Sequence, residues 1–159
     1  MNDQETKARR YHELIPELES LISGETDETL VLANASALLK QAFPEEYFWV
    51  GFYRVVDGEL LLGPFQGTVA CMHIKRGRGV CGTAWEREST IVVPDVHQFP
   101  GHIACSSLSQ SEIVVPVFNS KGVMVAELDI DSTELNTFDD TDKFYLEQVC
   151  EIISKTIYN

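Results

Sequence analysis

Apolar positions recur at helical spacing in two runs at the start of the chain. The first covers Thr6 to about Ile22 and contains Pro16, whose missing N–H and fixed φ predict a kink or a split. The second covers about Asp27 to Ala42, with Val31, Ala35, Leu38 and Ala42 on one face. The period then changes. Tyr47 to Val55 (YFWVGFYRV) is aromatic and β-branched, and Asp57-Gly58 signals a turn into a second strand over Glu59 to Leu62. Val69 to Ile74 reads as a third strand, a short helix starts near Val80, and Ile91 to Val93 reads as a fourth strand. Pro94 to Gln110 is a loop rich in Pro, Gly, His and Ser. Glu112 to Phe118 and Val123 to Asp131 pair as a hairpin around the polar stretch Asn119 to Gly122. A last helix begins around Asp139, where Asp139, Asp140 and Asp142 complement the positive end of its dipole. Helices at both ends of a mostly antiparallel sheet predict one α+β domain over 1–159. Its parts are a helical segment at about 1–42, a sheet and pocket at about 47–132, and a closing helix at about 139–158.

The hairpin carries a sharper geometric expectation. With Phe118 and Val123 flanking the loop, Glu112 lies opposite Asp129. Alternation puts Ile113, Val115, Val117, Met124, Ala126, Leu128 and Ile130 on one apolar face, which is core. The other face holds Glu112, Glu127, Asp129 and Asp131. Opposed like charges destabilise a strand pair. The row is therefore either a solvated edge or a place where something cationic or proton-donating binds. On the first strand Trp49 and Tyr53 share a face with Gly51 between them, a notch where a ligand or a backbone comes close, or two rings filling core. Rings beside carboxylates suit a small ligand with an aliphatic end and an ammonium.

Composition narrows the class. The 159 residues carry 12 Lys and Arg against 25 Asp and Glu, a formal charge of −13, which disfavours nucleic acid and anionic membranes as partners. Hydrophobic content of 44% and charged content of 23% are those of a globular chain. No apolar run reaches the roughly 18 residues of a membrane-spanning helix, and the N-terminus has no apolar signal core, so a soluble, cytoplasmic protein is expected.

Four cysteines, Cys71, Cys81, Cys105 and Cys150, then become informative, because thiols in a reducing compartment are more often buried, catalytic or redox-active than structural. Cys105 sits in the polar loop FPGHIACSS, which suits a reactive thiol. Cys71 belongs to the predicted third strand and Cys81 to a helix start, where Arg76 and Arg78 would lower a thiol pKa or hold an anion. Cys150 shares a helical stripe with Leu146, Ile153 and Ile157 and reads as core. His97 and His102 could join cysteines around zinc, but the spacing fits no regular module and no CxxC pair exists. Gly77 to Gly82 matches GxGxxG with Asp95 downstream, yet the helix after it is too short and the chain lacks strand–helix alternation, so a dinucleotide site is discounted.

The motifs FWVGFY, LGPFQG, GRGVCG, DVHQFPGHIACSS, SEIVVP and LDIDS, in this order, resemble the free methionine-(R)-sulfoxide reductases, small enzymes on the GAF fold. The resemblance runs from about Phe48 to Ser132. It implies a six-stranded antiparallel sheet with helices mainly on one face and a small pocket on the other. It implies reduction of free L-methionine (R)-S-oxide without metal or organic cofactor. Cys105 would attack the sulfoxide, Cys71 would resolve the sulfenic acid, and Cys81 would form a further disulfide or pass electrons onward. Trp49, Tyr53, Glu112, Asp129 and Asp131 would form the pocket, with Glu112 as proton donor and the two aspartates holding the ammonium. A dithiol protein such as thioredoxin would restore the thiols, and a homodimer stays open. Glu127 and Cys150 lie outside the motif positions. Two other readings stand beside this one: a non-enzymatic GAF-type module binding a small ligand, and a thiol redox sensor using Cys71 and Cys105.

Overall fold

Six strands and four helices form in the order set by the alternation of apolar patterns, in a computed structural model that describes residues 3–103 and 105–159. The first two positions of the predicted N-terminal segment, and Ala104 in the predicted Pro94–Gln110 loop, lie outside the described residues. Helix α1 spans Asp3–Ile22 and runs without a break through Pro16. Its buried stripe is Tyr11, Leu14, Leu18 and Ile22, whereas Pro16 is on the exposed side. Burying four large side chains at roughly 1.5–3 kcal/mol each outweighs the ~3 kcal/mol cost of an internal proline, so the predicted split does not occur. Helix α2, Glu28–Ala42, starts at the Asp27 cap, whose side chain accepts from Leu30 N. It buries Val31, Leu32, Ala35, Ser36 and Leu39, a stripe rotated slightly from the predicted one.

Strands β1 (Trp49–Val56) and β2 (Glu59–Gln66) join through Asp57 and Gly58, both with positive φ, as a tight two-residue hairpin demands. Strand β3 is only His73–Ile74, not the predicted Val69–Ile74, and Cys71 therefore lies on an irregular segment. After it come α3 (Gly79–Arg87), β4 (Ile91–Val93) and a short 3-10 turn at Val96–Gln98. Strands β5 (Ser111–Phe118) and β6 (Met124–Ser132) form the long hairpin, and α4 (Asp140–Ile157) closes the chain behind a capping box made by Asp139 and Asp142.

The sheet order is β3-β2-β1-β6-β5-β4, antiparallel throughout. Helices α1, α2 and α4 cover one face, burying Val50 and Phe52 of β1, Ile113, Val115 and Val117 of β5, and Ala126, Leu128 and Ile130 of β6. Cys150 belongs to this core, as its stripe predicts. The opposite face packs against α3 and the long loops, with Trp49, Tyr53, Val80, Cys81, Trp85 and Val114 in a second cluster.

Two features of the hairpin differ from expectation. Val123 stays in the loop, where its N–H and that of Lys121 donate to Asn119 Oδ1, and a bulge follows between Val117 and Phe118. The register moves by two residues, so Glu112 faces Asp131 and Val114 faces Asp129. A two-residue slip keeps every side chain on its predicted face. Met124, beside the bulge, is the exception: it packs in the second cluster, while Val125 packs against the first.

Candidate functional site

The face away from the three helices opens into a cavity floored by the sheet. Its floor is Trp49 and Tyr53 of β1, Glu112 of β5, and Asp129 and Asp131 of β6. These strands are neighbours, with Trp49 and Glu112 both opposite Asp131, and Gly51 opposite Asp129. Val80 and Cys81 of α3 form a wall. Thr68 to Ala70 on one side and His102, Ile103, Cys105, Ser106 and Ser109 on the other complete it, enclosing about 580 Å³ with the mouth included.

Cys71 and Cys105 are joined in a disulfide with Cα atoms 5.7 Å apart, tying the two loops together. Cys105 is exposed and Cys71 half-buried. The aromatic pair explains why Cys71 sits where it does. Trp49 Nε1 donates to Thr68 O at 2.9 Å, and Tyr53 Oη donates to Cys71 O at 2.9 Å. Side chains from β1 thus satisfy backbone carbonyls that a longer β3 would have paired. Gly67, with φ +143, lets the loop cross the indole: a Cβ there would stand 2.5 Å from Trp49 Cδ1. The predicted notch at Gly51 is filled from within, since a Cβ would meet Phe65 Cβ at 2.3 Å, and the Phe65 ring stacks on Trp49 at 5.1 Å.

The acids are not a wet edge. Glu112 and Asp129 are each 6% exposed and Glu127 is 0% exposed, with Asp131 half-buried. Burying an ionised carboxylate without a partner costs several kcal/mol, about enough to keep it protonated instead. Burial first, then the neighbouring Asp129 and Asp131, holds Glu112 well above the usual carboxylate range. Burial and Asp129 do the same to Asp131. Asp129 is raised by burial, with hydrogen bonds from Glu112, Cys81 and Asp131 opposing the rise. Such a floor stores protons and welcomes a cation.

Cys81 corrects one expectation. It is buried with Sγ 3.9 Å from Glu112 Oε2, and burial together with Asp129, Glu127 and Glu112 pushes its pKa up rather than down. Arg76 lies over the Trp85 ring, 5.2 Å from its centroid, and Arg78 lines the cavity from an exposed position. Cys81 is free, as is Cys150. The GxGxxG glycines serve packing: a Cβ on Gly82 would come 2.4 Å from Lys75 O, and Gly77 N donates to Gly82 O.

Sequence reasoning passed over Ser106, Ser109, Ile103 and Thr68, which enter the cavity from loops without periodicity. His102, weighed only as a zinc ligand, lines the cavity with its pKa lowered by burial and by His97. His97 instead pairs with Asp95 at 3.0 Å. Glu127, to which the sequence assigns no role, lies wholly inside.

Residues 26–157 match the GAF domain family. The chain is 44% identical to a free methionine-R-sulfoxide reductase of Escherichia coli, covering 95% of this chain and 90% of the relative. It is 41% identical to one of Saccharomyces cerevisiae, covering 94% and 87%. Among solved structures, a free methionine-R-sulfoxide reductase from Neisseria meningitidis, in complex with its substrate, superposes with a TM-score of 0.91 at 51% identity, covering 94% of this chain and 89% of that one.

Proposed function

The chain belongs to the free methionine-R-sulfoxide reductases of the GAF domain family, and from that membership we propose how its own residues reduce free methionine (R)-sulfoxide to methionine. The observation that carries this reading is the Cys71–Cys105 disulfide beside a cavity floored by buried acids whose pKa values burial raises. Cys105, the exposed member, is the nucleophile. Its thiolate attacks the sulfoxide sulfur while Glu112 donates a proton to the departing oxygen. Oxygen passes to Cys105 as a sulfenic acid and methionine leaves. Cys71 then attacks that sulfur, a disulfide forms, and the oxygen departs as water. Two thiols are oxidised and one sulfoxide is reduced, so electrons and atoms balance. The Cys71–Cys105 disulfide fits the end of this sequence and supports the reading.

Asp129 and Asp131 attract the substrate ammonium, whose charge offsets the acids it meets. Trp49 and Tyr53 flank the methylthio end. Cys81, against Glu112, forms part of the wall; a further disulfide at this thiol requires α3 to release it from burial. A dithiol protein of the thioredoxin class restores Cys71 and Cys105 by exchange at the exposed sulfur. The chemistry needs no cofactor beyond these thiols.

Incubation with free methionine sulfoxide, thioredoxin, its reductase and NADPH tests the reading. Sustained NADPH consumption dependent on sulfoxide is expected. Binding without turnover would instead make the chain a small-ligand or redox sensor.

A further inference from the structure

Glu127 is the buried acid that sulfoxide reduction leaves unused. In register it lies between Tyr53 of β1 and Pro116 of β5, wholly inaccessible. Among the described residues neither of its carboxyl oxygens has a hydrogen-bond partner, and Oδ1 of Asp129, two residues on, has none either. Buried polar atoms without partners are uncommon and call for an explanation. The Cys81 thiol interacts with Glu127 as well as with the cavity acids, its Sγ 3.9 Å from Glu112 Oε2. One ligand atom from each of Cys81, Glu112 and Asp129 lies within 4.8 Å of the other two, and all three residues are buried.

That spacing is close to a coordination shell. Sulfur and oxygen ligands at Zn²⁺ bond lengths in a tetrahedron stand roughly 3.3–3.8 Å apart. A contraction of about 1 Å brings the three together, within reach of ordinary rotamer adjustment. One thiol among carboxylates selects a borderline or soft divalent ion over Mg²⁺ or Ca²⁺, which take oxygen shells of six or more.

We propose that Cys81, Glu112 and Asp129 form a binding site for a thiophilic divalent cation of the Zn²⁺ and Cd²⁺ class, backed by Glu127 as the outer partner of the ligand set. On binding, the Cys81 thiol and one of the raised carboxyl groups each give a proton to solvent, and no electrons move. The cation offsets the thiolate and one carboxylate. In its acid form, which burial favours, Glu127 then has an acceptor for its O–H in the coordinated sulfur or in Asp129. The site is reached through the cavity, to which Cys81, Glu112 and Asp129 all contribute. A bound cation therefore excludes a substrate that uses Glu112 and Asp129, a consequence that rests on the reading above.

The test uses the protein with its Cys71–Cys105 disulfide intact, which leaves Cys81 and Cys150 as the cysteines with thiols. Cd²⁺ alone is titrated and the ultraviolet thiolate-to-cadmium charge-transfer band is followed. Expected is one saturable event per chain, reversed by Zn²⁺, lost in Cys81→Ser and in Cys81→Ala, and unchanged in Cys150→Ser. Glu127→Gln should weaken it about ten-fold, as outer partners of ligands do. Absence of the band, or its survival without Cys81, overturns the site. Free methionine sulfoxide is then added in a separate arm. Its displacement of Cd²⁺ supports both readings, a band without displacement overturns only the placement of substrate on these acids, and turnover without a band overturns only the cation site.

Discussion

The Tyr53 hydroxyl donates to the backbone carbonyl of Cys71, so a residue on the sheet fixes the height of a sulfur on a loop. A net hydrogen bond of about 1 kcal/mol corresponds to roughly a five-fold change. Tyr53→Phe keeps the ring and removes the tether. Methionine release in the first turnover should change little, while formation of the Cys71–Cys105 bond slows about five-fold. Rapid-quench measurement of methionine alongside mass detection of the disulfide separates the two steps.

Removing the sulfurs one at a time distinguishes their roles. Cys105→Ser should abolish methionine release. Cys71→Ser should release about one methionine per chain and then stall with a sulfenic acid on Cys105, detectable by dimedone adduct mass. Full multiple turnover by Cys71→Ser with thioredoxin would remove Cys71 as the resolving thiol.

The proton donor has a pH signature. Burial and its aspartate neighbours raise the Glu112 pKa, so the acid form persists at pH values where an ordinary glutamate has ionised. Activity should fall as pH rises through that elevated pKa, because the donor is lost. Glu112→Gln should lower kcat by about 10²-fold or more with a smaller change in KM, and the alkaline limb assigned to Glu112 should disappear.

Glu127 predicts a stability effect of definite sign. Its folded pKa is raised by burial and by Asp129 above the ordinary 4.5. The unfolded chain therefore loses this proton first, and the folded state binds more protons between the two pKa values. Stability falls with rising pH in that window, by about 1.4 kcal/mol per pH unit for one proton. Glu127→Gln removes this contribution. In chelator-treated protein the variant should show a shallower decline of Tm from pH 5 to pH 8, and parallel curves would refute the assignment.

Gly51 has a packing role that substitution exposes. A Cβ there lies 2.3 Å from Phe65 Cβ and 2.9 Å from the Trp49 ring, so Gly51→Ala must push β2 or the indole aside. Destabilisation of about 1–3 kcal/mol is expected from such overpacking. Denaturant titration measures it, and Trp49 fluorescence should shift with it.

Two signals make the strands legible in the sequence. Aromatic and β-branched composition marks Tyr47–Val55, alternation marks the faces of the β5–β6 hairpin, and the face of Glu112, Asp129 and Asp131 survives a register error because the slip is even. Pro16 was misread because local propensity ignores the stripe of α1 buried on the helix's other side. The stretch Val69–Cys71 looked like a strand by composition, but Val69 is 89% exposed and the segment is held by β1 side chains, a tertiary cause with no local trace. The burial of Glu127 was equally invisible, since a charge on an alternating strand is the ordinary mark of a wet face. The Cys81 environment was inferred with the wrong sign because Arg76 is sequence-near but engaged with Trp85.

With one linked sulfur exposed at the rim and the carboxyl groups sealed below, the two commodities of a reduction arrive from opposite directions. In the proposed cycle a donor protein has only to touch the outside of the lip and never to enter the chamber. In that cycle the rim sulfur of Cys105 answers to both sides, turned outward to the donor and inward to the cavity it lines.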